Sequence, residues 1–135
     1  MADMIDLFRH IKHRPSMYLY PIKYDSAAAL MEGYDLATDY NLLEGFHAWL
    51  NVKLVFLCNW GWQRLIIEFP ETFGLPRGFR EEEPSIEHEK LAITALFNEL
   101  EEFYQVKKDH TKGLRWIYAQ YDELYKKLDE EIENE

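Results

Sequence analysis

The segment that decides the fold class of this chain is residues 85–104, which read SIEHEKLAITALFNELEEFY. Its apolar side chains recur every three or four positions, the spacing that lines up one face of an α-helix. That face consists of Ile93, Leu96, Phe97, Leu100 and Tyr104. The glutamates fall on other faces, and Ser85 is a residue type that caps helix N-termini. The segment therefore predicts a long amphipathic helix with one side packed against a core.

A short helix is predicted at the start of the chain. Ile5, Phe8 and Ile11 share one helical face. The helix must stop near Arg14-Pro15, because the residue before a proline disfavours helical backbone. Residues 16–24 then predict an ordered connector, since they contain a proline and three tyrosines.

A second helix follows the connector, with Asp25 or Ser26 as its N-terminal cap. Its buried stripe consists of Ala27, Leu30, Met31 and Tyr34. Gly33 lies inside this helix, where glycine lowers helix propensity by about 1 kcal/mol relative to alanine. This suggests that another element packs closely against Gly33.

Residues 46–69 have two interpretations. Helical spacing predicts a third helix and, after Trp60-Gly61-Trp62, a fourth helix that ends at Pro70. The third helix uses Phe46, Trp49, Leu50, Leu54 and Leu57, and the fourth uses Trp62, Leu65, Ile66 and Phe69. Because apolar runs at 54–58 and 65–69 flank a short turn with glycine, a β-hairpin around residues 52–69 is the competing interpretation.

A loop and a polar turn flank the segment 85–104, and a final helix follows. Residues 70–84 have the proline, glycine and glutamate content of an exposed loop, and residues 107–113 predict a turn. The final helix has an apolar face of Leu114, Ile117, Tyr118, Tyr121, Leu124 or Tyr125, Leu128 and Ile132. The sequence thus predicts an all-α single domain over residues 1–135, an irregular bundle of about six helices; the alternative is an α+β fold with the hairpin.

The composition bounds the class of partner. The chain has 135 residues, of which 47% are hydrophobic and 16% aromatic, enough for one core. Lys and Arg total 15 against 25 Asp and Glu, which gives a formal net charge of -10. Such a surface repels phosphate backbones, so the charge argues against nucleic acid as a direct partner. It suits a basic protein, because complementary fields speed encounter and fix orientation.

The sequence predicts a cytoplasmic protein without membrane contact. A single cysteine, Cys58, excludes an internal disulfide framework and is typical of reducing compartments. The first residues lack the apolar stretch of a signal peptide. No run approaches the roughly 20 apolar residues that span a bilayer.

The residue patterns predict no catalytic site, metal or cofactor. His10 and His13 are three positions apart but lack further ligands nearby, and the glycines do not form a phosphate loop or dinucleotide fingerprint. We therefore expect no enzymatic activity. The enzymatic alternative would assemble His47 with Glu44 and a carboxylate of the helix over residues 85–104.

Short motifs along the chain carry a resemblance to a protein class. They are Arg-Pro-Ser-Met-Tyr-Leu at 14–19, Gly33-Tyr34, Phe46-His47-Ala48-Trp49, Gly61-Trp62 and the acidic, aromatic helix end at 97–104. This pattern resembles small acidic bacterial immunity proteins of polymorphic-toxin and contact-dependent inhibition systems and their uncharacterised relatives. Ser16 and Tyr20 replace glycines of that pattern. The first motif alone also resembles the ATP lid of type II topoisomerases, but the glycine-rich elements of nucleotide binding are absent.

The resemblance implies a protein that neutralises a cognate toxin, often a nuclease, by occluding its active or substrate-binding surface. The resemblance brings no interface residues with it, so these are predicted from charge and residue type. Carboxylates would replace substrate phosphates and exposed aromatic rings would anchor the complex. The predicted contact residues are Glu81, Glu82, Glu83, Glu87, Trp60 and Tyr20. The alternative is a structural or regulatory helical module that self-associates, for example as a homodimer, and has no toxin partner.

Overall fold

The computed structural model describes residues 3–76 and 84–133. Within these ranges the chain forms seven α-helices, one turn of 3-10 helix at Pro15–Met17 and no strand. The helices are α1 (Met4–His13), α2 (Tyr24–Ala37), α3 (Phe46–Leu54), α4 (Trp62–Glu68), α5 (Pro70–Phe73), α6 (Ile86–Lys107) and α7 (Gly113–Glu133). The predicted all-α fold is confirmed, and the hairpin alternative over residues 52–69 is wrong.

The helix α6 forms the centre of the molecule. It packs against α1, α2, α3, α4 and α7. Its buried residues are Ala92, Ile93, Ala95, Leu96, Phe97, Glu99, Leu100 and Phe103. Ser85 caps the helix as predicted, because its Oγ accepts a hydrogen bond from the backbone N–H of His88 at 3.2 Å.

Aromatic rings join the outer helices to α6. Phe8 of α1 lies against Phe97, with ring centroids 5.9 Å apart. Phe46 of α3 lies against Phe103 at 5.1 Å and against Trp62 of α4 at 5.6 Å. These tilted pairs bury large apolar surfaces, fix the orientation of α1 and α3 on the central helix, and join α4 to α3.

The close approach expected at Gly33 occurs at Gly45 instead. No other side chain or neighbouring backbone lies within 4 Å of the Cβ position of Gly33, which is exposed on α2. A Cβ on Gly45 would lie 2.6 Å from Cδ2 of Leu114, and Gly45 has a φ of 92°. The absence of a side chain at Gly45 therefore lets the start of α3 meet the start of α7 closely.

Several helix boundaries differ from the sequence prediction. The helix α2 begins at Tyr24 with Lys23 as its N-cap, so the predicted caps Asp25 and Ser26 lie inside the helix. The backbone N–H of Tyr24 donates to Glu89 at 2.7 Å. The helix α3 ends at Leu54 and is capped by Val55, which has a φ of 50°, so Leu57 lies beyond it. The predicted loop begins with α5, because Pro70 fits the first turn of a helix. No helix in the described part of the chain is long and apolar enough to cross a bilayer.

Candidate functional site

The outer face of α7 carries an exposed row of aromatic, aliphatic and acidic side chains. A helix turns by about 100° per residue, so positions four and seven apart share a face. We call the row at this spacing the outward stripe: Tyr118, Asp122, Tyr125, Asp129 and Ile132. Tyr118 is 41% exposed, Tyr125 56% and Ile132 70%, and both aspartates are exposed. The outward stripe thus presents apolar anchors and carboxylates together to solvent.

The outward stripe exists because the apolar face of α7 is wider than the surface that covers it. Within α7 only Ile117 and Leu124 are buried, and each lies one position before a tyrosine of the stripe. From Leu124 to the end of the helix at Glu133, no further residue is buried. The second half of α7 therefore extends past the packed body of the molecule.

Tyr118 differs from the other members of the outward stripe because it borders the α3 side of the molecule. Partial burial, together with the negative charge of Glu44, raises the pKa of its phenol. The hydroxyl of Tyr118 therefore stays protonated, and able to donate a hydrogen bond, to higher pH than that of an ordinary tyrosine.

The buried carboxylate of Glu99 on α6 forms an ion pair with α3. This ion pair does not belong to the outward stripe of α7. Glu99 is 7% exposed. Its Oε1 lies 2.5 Å from Nζ of Lys53, and its Oε2 accepts from Nε1 of Trp49 at 3.4 Å. Lys53 also lies 3.1 Å from Glu102. Burial acts to lower the pKa of Lys53, but the hydrogen bonds that Lys53 donates to Glu99 and Glu102, together with the negative charges of these residues, outweigh burial and the pKa is raised.

An apolar cavity of about 270 Å³ adjoins this ion pair between α3, α6 and α7. Its walls are mainly Trp49, Val52, Trp116 and Ile117. Its two charged lining residues, Lys53 and Glu102, form an ion pair, and Gln120 also lines it. Because this charge is already paired, the arrangement stabilises the contact between α3 and α6.

A larger cavity, of about 510 Å³, lies where α1 ends and the 3-10 turn begins. We call it the basic cleft, because Lys12, His13, Arg14 and Lys90 line it. The remaining lining residues are Pro15, Ser16, Met17, Ile22 and Thr94. The first motif of the sequence, at 14–19, therefore contributes one wall of a positively charged cavity in an acidic molecule.

Of the predicted contact residues, the three that the structure describes lie on separate segments. Tyr20 is 99% exposed in the connector before α2, and Glu87 is exposed in the first turn of α6. Trp60 is half-buried, packs on Phe56 and lies 3.8 Å below the guanidinium of Arg64. No hydrogen bond, ion pair or ring contact joins Tyr20, Glu87 and Trp60 within residues 3–76 and 84–133. Glu81, Glu82 and Glu83 lie outside the described residues.

His47 and Glu44, the residues named for the enzymatic alternative, make local structural contacts. The ring of His47 lies 3.2 Å from Nδ2 of Asn51, one turn along α3. Asn51 is fully buried and also bonds the carbonyl of His47 at 2.7 Å and the N–H of Cys58 at 3.2 Å. Glu44 is exposed and acts on Tyr118 through its charge. This network fixes the chain as it leaves α3.

Sequence reasoning missed the outward stripe because it placed Tyr118, Ile132 and either Leu124 or Tyr125 on the apolar face of the final helix. The structure corrects this, since Tyr118, Tyr125 and Ile132 are exposed. The available signal was their recurrence every seven residues beside a parallel row that contains Ile117 and Leu124. Two adjacent apolar rows on a helix that packs at the edge of a bundle indicate that one row faces the core and the other stays exposed.

Comparisons of the chain with protein-family models, with curated proteins and with solved structures gave no match.

Proposed function

We propose that this chain is a non-enzymatic binding protein that docks onto a basic protein through the outward stripe of α7. The observation that carries the proposal is the exposure of Tyr118, Tyr125 and Ile132 in one row with two aspartates. Tyrosine is enriched in the energetic centres of protein interfaces, because it buries a large rigid surface at low entropic cost. The row has the residue types of an interface core.

The apolar members of the stripe supply affinity. A tyrosine that changes from half-exposed to buried removes on the order of 100 Å² from water, which contributes about 2 kcal/mol. The stripe extends over the helix turns from Tyr118 to Ile132, a length of roughly 20 Å at 1.5 Å per residue. That length matches one groove or cleft on a partner.

The acidic members of the stripe select the partner by charge. Asp122 and Asp129 lie within the row, and Glu133 lies beside its end. The whole chain has a net charge of -10, so its long-range field and the local field of the stripe have the same sign. Both favour a partner with a positive surface and disfavour an acidic one.

A toxin that must grip phosphate, such as a nuclease, is the partner class that we favour. Its substrate cleft is basic, and the carboxylates of the stripe would replace substrate phosphates while the tyrosines cover the cleft. The resemblance to immunity proteins supports the same partner class. The predicted contacts at Glu81, Glu82, Glu83, Glu87, Trp60 and Tyr20 remain additional predictions, because they lie on other segments.

Self-association through the stripe is less favourable on electrostatic grounds. A two-fold antiparallel pairing about Tyr125 would place Asp122 opposite Asp129 of the second copy. Carboxylates that face each other repel, so this homodimer would have to overcome its own charges.

The experiment that tests the proposal co-expresses the tagged protein with the genes beside its own and identifies what co-purifies. The affinity of the isolated pair is then measured for the charge reversal Asp122→Lys with Asp129→Lys. The matched control is Glu123→Lys with Glu130→Lys, which makes the same change of charge on exposed positions of α7, roughly 120–140° around the helix from the stripe.

We expect the stripe reversal to weaken binding of a basic, toxic partner by at least tenfold and the control reversal to change it far less. Equal losses for the two reversals would show that only net charge matters and would contradict docking through the stripe. Recovery of the protein alone, as a dimer that the stripe reversal changes, would favour the self-associating module.

A further inference from the structure

We infer that the basic cleft is a binding site for a small organic oxyanion, whose phosphate or carboxylate group is held by Arg14 and Lys90. The site is separate from the outward stripe and needs no protein partner.

The positive charge of the cleft is only partly compensated. Lys12 donates to Asn98 at 2.9 Å and lies 3.8 Å from Glu101, which also pairs with Arg9 at 2.6 Å. Within the described residues, Arg14 and Lys90 make no ion pair. These two side chains come from the end of α1 and from α6, and because both line the same cavity we place the anion between them.

The acidic residues near Lys90 do not line the cleft. Glu89 accepts a hydrogen bond from the backbone N–H of Tyr24 at 2.7 Å. Glu87 is exposed one turn before Lys90, and neither glutamate belongs to the cavity wall. The cleft thus remains a local region of positive potential in a molecule with a net charge of -10.

The wall of the cleft is held in place by the backbone of the first motif. The N–H of Arg14 donates to the carbonyl of His10 at 2.9 Å, and the N–H of Leu19 donates to the carbonyl of Pro15 at 2.8 Å. Leu19 is buried and anchors the turn in the core. A wall fixed in this way does not have to be ordered when a ligand binds, which favours affinity.

The size and the apolar lining of the cleft indicate an organic ligand. A volume of about 510 Å³ exceeds what one inorganic oxyanion fills and lies within the usual range for small-molecule sites. Pro15, Met17 and Ile22 form the apolar part of the wall. The ligand class is therefore a molecule with one oxyanion group and an apolar body.

The net charge of the chain favours a small anion over an acidic macromolecule. Charges are screened over about 8 Å at physiological ionic strength. A small anion inside the cleft experiences mainly Arg14, Lys90 and Lys12, whereas an acidic protein or nucleic acid would extend over the surrounding acidic surface. Only the small ligand gains the local attraction without the general repulsion.

The test follows backbone amide NMR signals of the full chain during separate titrations with inorganic phosphate, with acetate and with polyglutamate, at constant ionic strength. We expect saturable shifts at Ser16, Met17 and Thr94. Arg14→Gln and Lys90→Gln should each weaken binding about tenfold, the usual effect of losing one charge-assisted hydrogen bond. The matched control is Lys127→Gln, an exposed lysine of α7, which should leave binding unchanged.

Each outcome bears on the inference. Tighter binding of phosphate assigns the phosphate class and tighter binding of acetate assigns the carboxylate class, and both support the site. The inference is overturned if neither anion shifts these signals, or if the control weakens binding as much as Arg14→Gln does. It is also overturned if only a polyglutamate probe binds at the cleft, because the occupant would then be macromolecular. Since no protein partner is present, failure here leaves the proposed role of α7 intact.

Discussion

The two long helices of this molecule have almost the same length and opposite uses. The helix α6 has 22 residues and is buried repeatedly from Ala92 to Phe103, whereas α7 has 21 residues and buries only Ile117 and Leu124. Both sequences are amphipathic, so amphipathicity alone does not decide the role. The number of packed neighbours does: α6 contacts five helices, and α7 packs chiefly on α3 and α6. The helix α7, at the edge of the bundle, therefore keeps apolar side chains exposed.

The largest expected effect tests whether α6 is the centre of the core, by removing one of its buried side chains. Phe97 is fully buried and lies against Phe8. We expect Phe97→Ala to lower the free energy of unfolding by about 3–5 kcal/mol, because it removes buried contacts and leaves a cavity. Urea denaturation measures this loss, and a loss below about 1 kcal/mol would contradict the central role of α6.

The ion pair between α3 and α6 should give the next largest effect. Lys53→Met leaves the carboxylate of Glu99 buried with only Trp49 as a donor. We expect a loss of about 2 kcal/mol, below the usual 3–5 kcal/mol for buried pairs, because the Lys53 side chain keeps 31% of its exposure. Replacing Glu99 by leucine in the same variant should restore most of the stability.

The same pair predicts a pH dependence at the alkaline end. The pKa of Lys53 is raised in the folded protein, so folding stabilises its protonated form. This contribution is complete below the ordinary value of 10.5 and is lost as pH rises through the folded-state pKa. The stability difference between the wild type and Lys53→Met should therefore shrink above that pH. A constant difference in denaturation experiments would show that the charge of Lys53 does not contribute.

The contact between α3 and α7 is tested by a pair of glycine variants. Gly45→Ala should cost about 1–2 kcal/mol, because Gly45 has a positive φ and its new Cβ would meet Leu114. Gly33→Ala should instead stabilise the protein by about 0.5–1 kcal/mol, since Gly33 is helical with open space around it. Thermal unfolding measures both changes, and equal signs for the two would contradict the assignment of close packing to Gly45.

The smallest effect on stability is expected on the outward stripe. Tyr125→Ala should change the free energy of unfolding by less than about 0.5 kcal/mol, because the side chain is 56% exposed. Partner affinity should fall about tenfold or more, which calorimetry on the isolated complex would measure. Glu123→Ala is the matched control on α7. A large loss of stability for Tyr125→Ala would place the tyrosine in the core instead.

The sequence was most informative where several local signals agree. For α6 the apolar period, the cap at Ser85 and the polar faces all indicate one helix, and the structure confirms it. The prediction fails where a residue serves two elements. Pro70 ends α4 and also starts α5, so a segment that has the composition of a loop begins as a helix.

Local sequence patterns could not predict contacts between segments that are distant in sequence. Gly45 is required by Leu114, which is far away in sequence, and no local feature of residues 40–50 reveals this. The same limit applies to the candidate site. Which half of the wide apolar face of α7 is covered depends on where α3 lies, so the exposure of Tyr118 and Tyr125 follows only from the packed structure.

The extension of α7 past Leu124 has a consequence for how binding specificity can change over generations. Side chains on these turns touch little of the core, so substitutions there leave the folded state nearly as stable as before. If the outward stripe binds a partner as we propose, a few mutations there could change which partner is bound while the fold is retained.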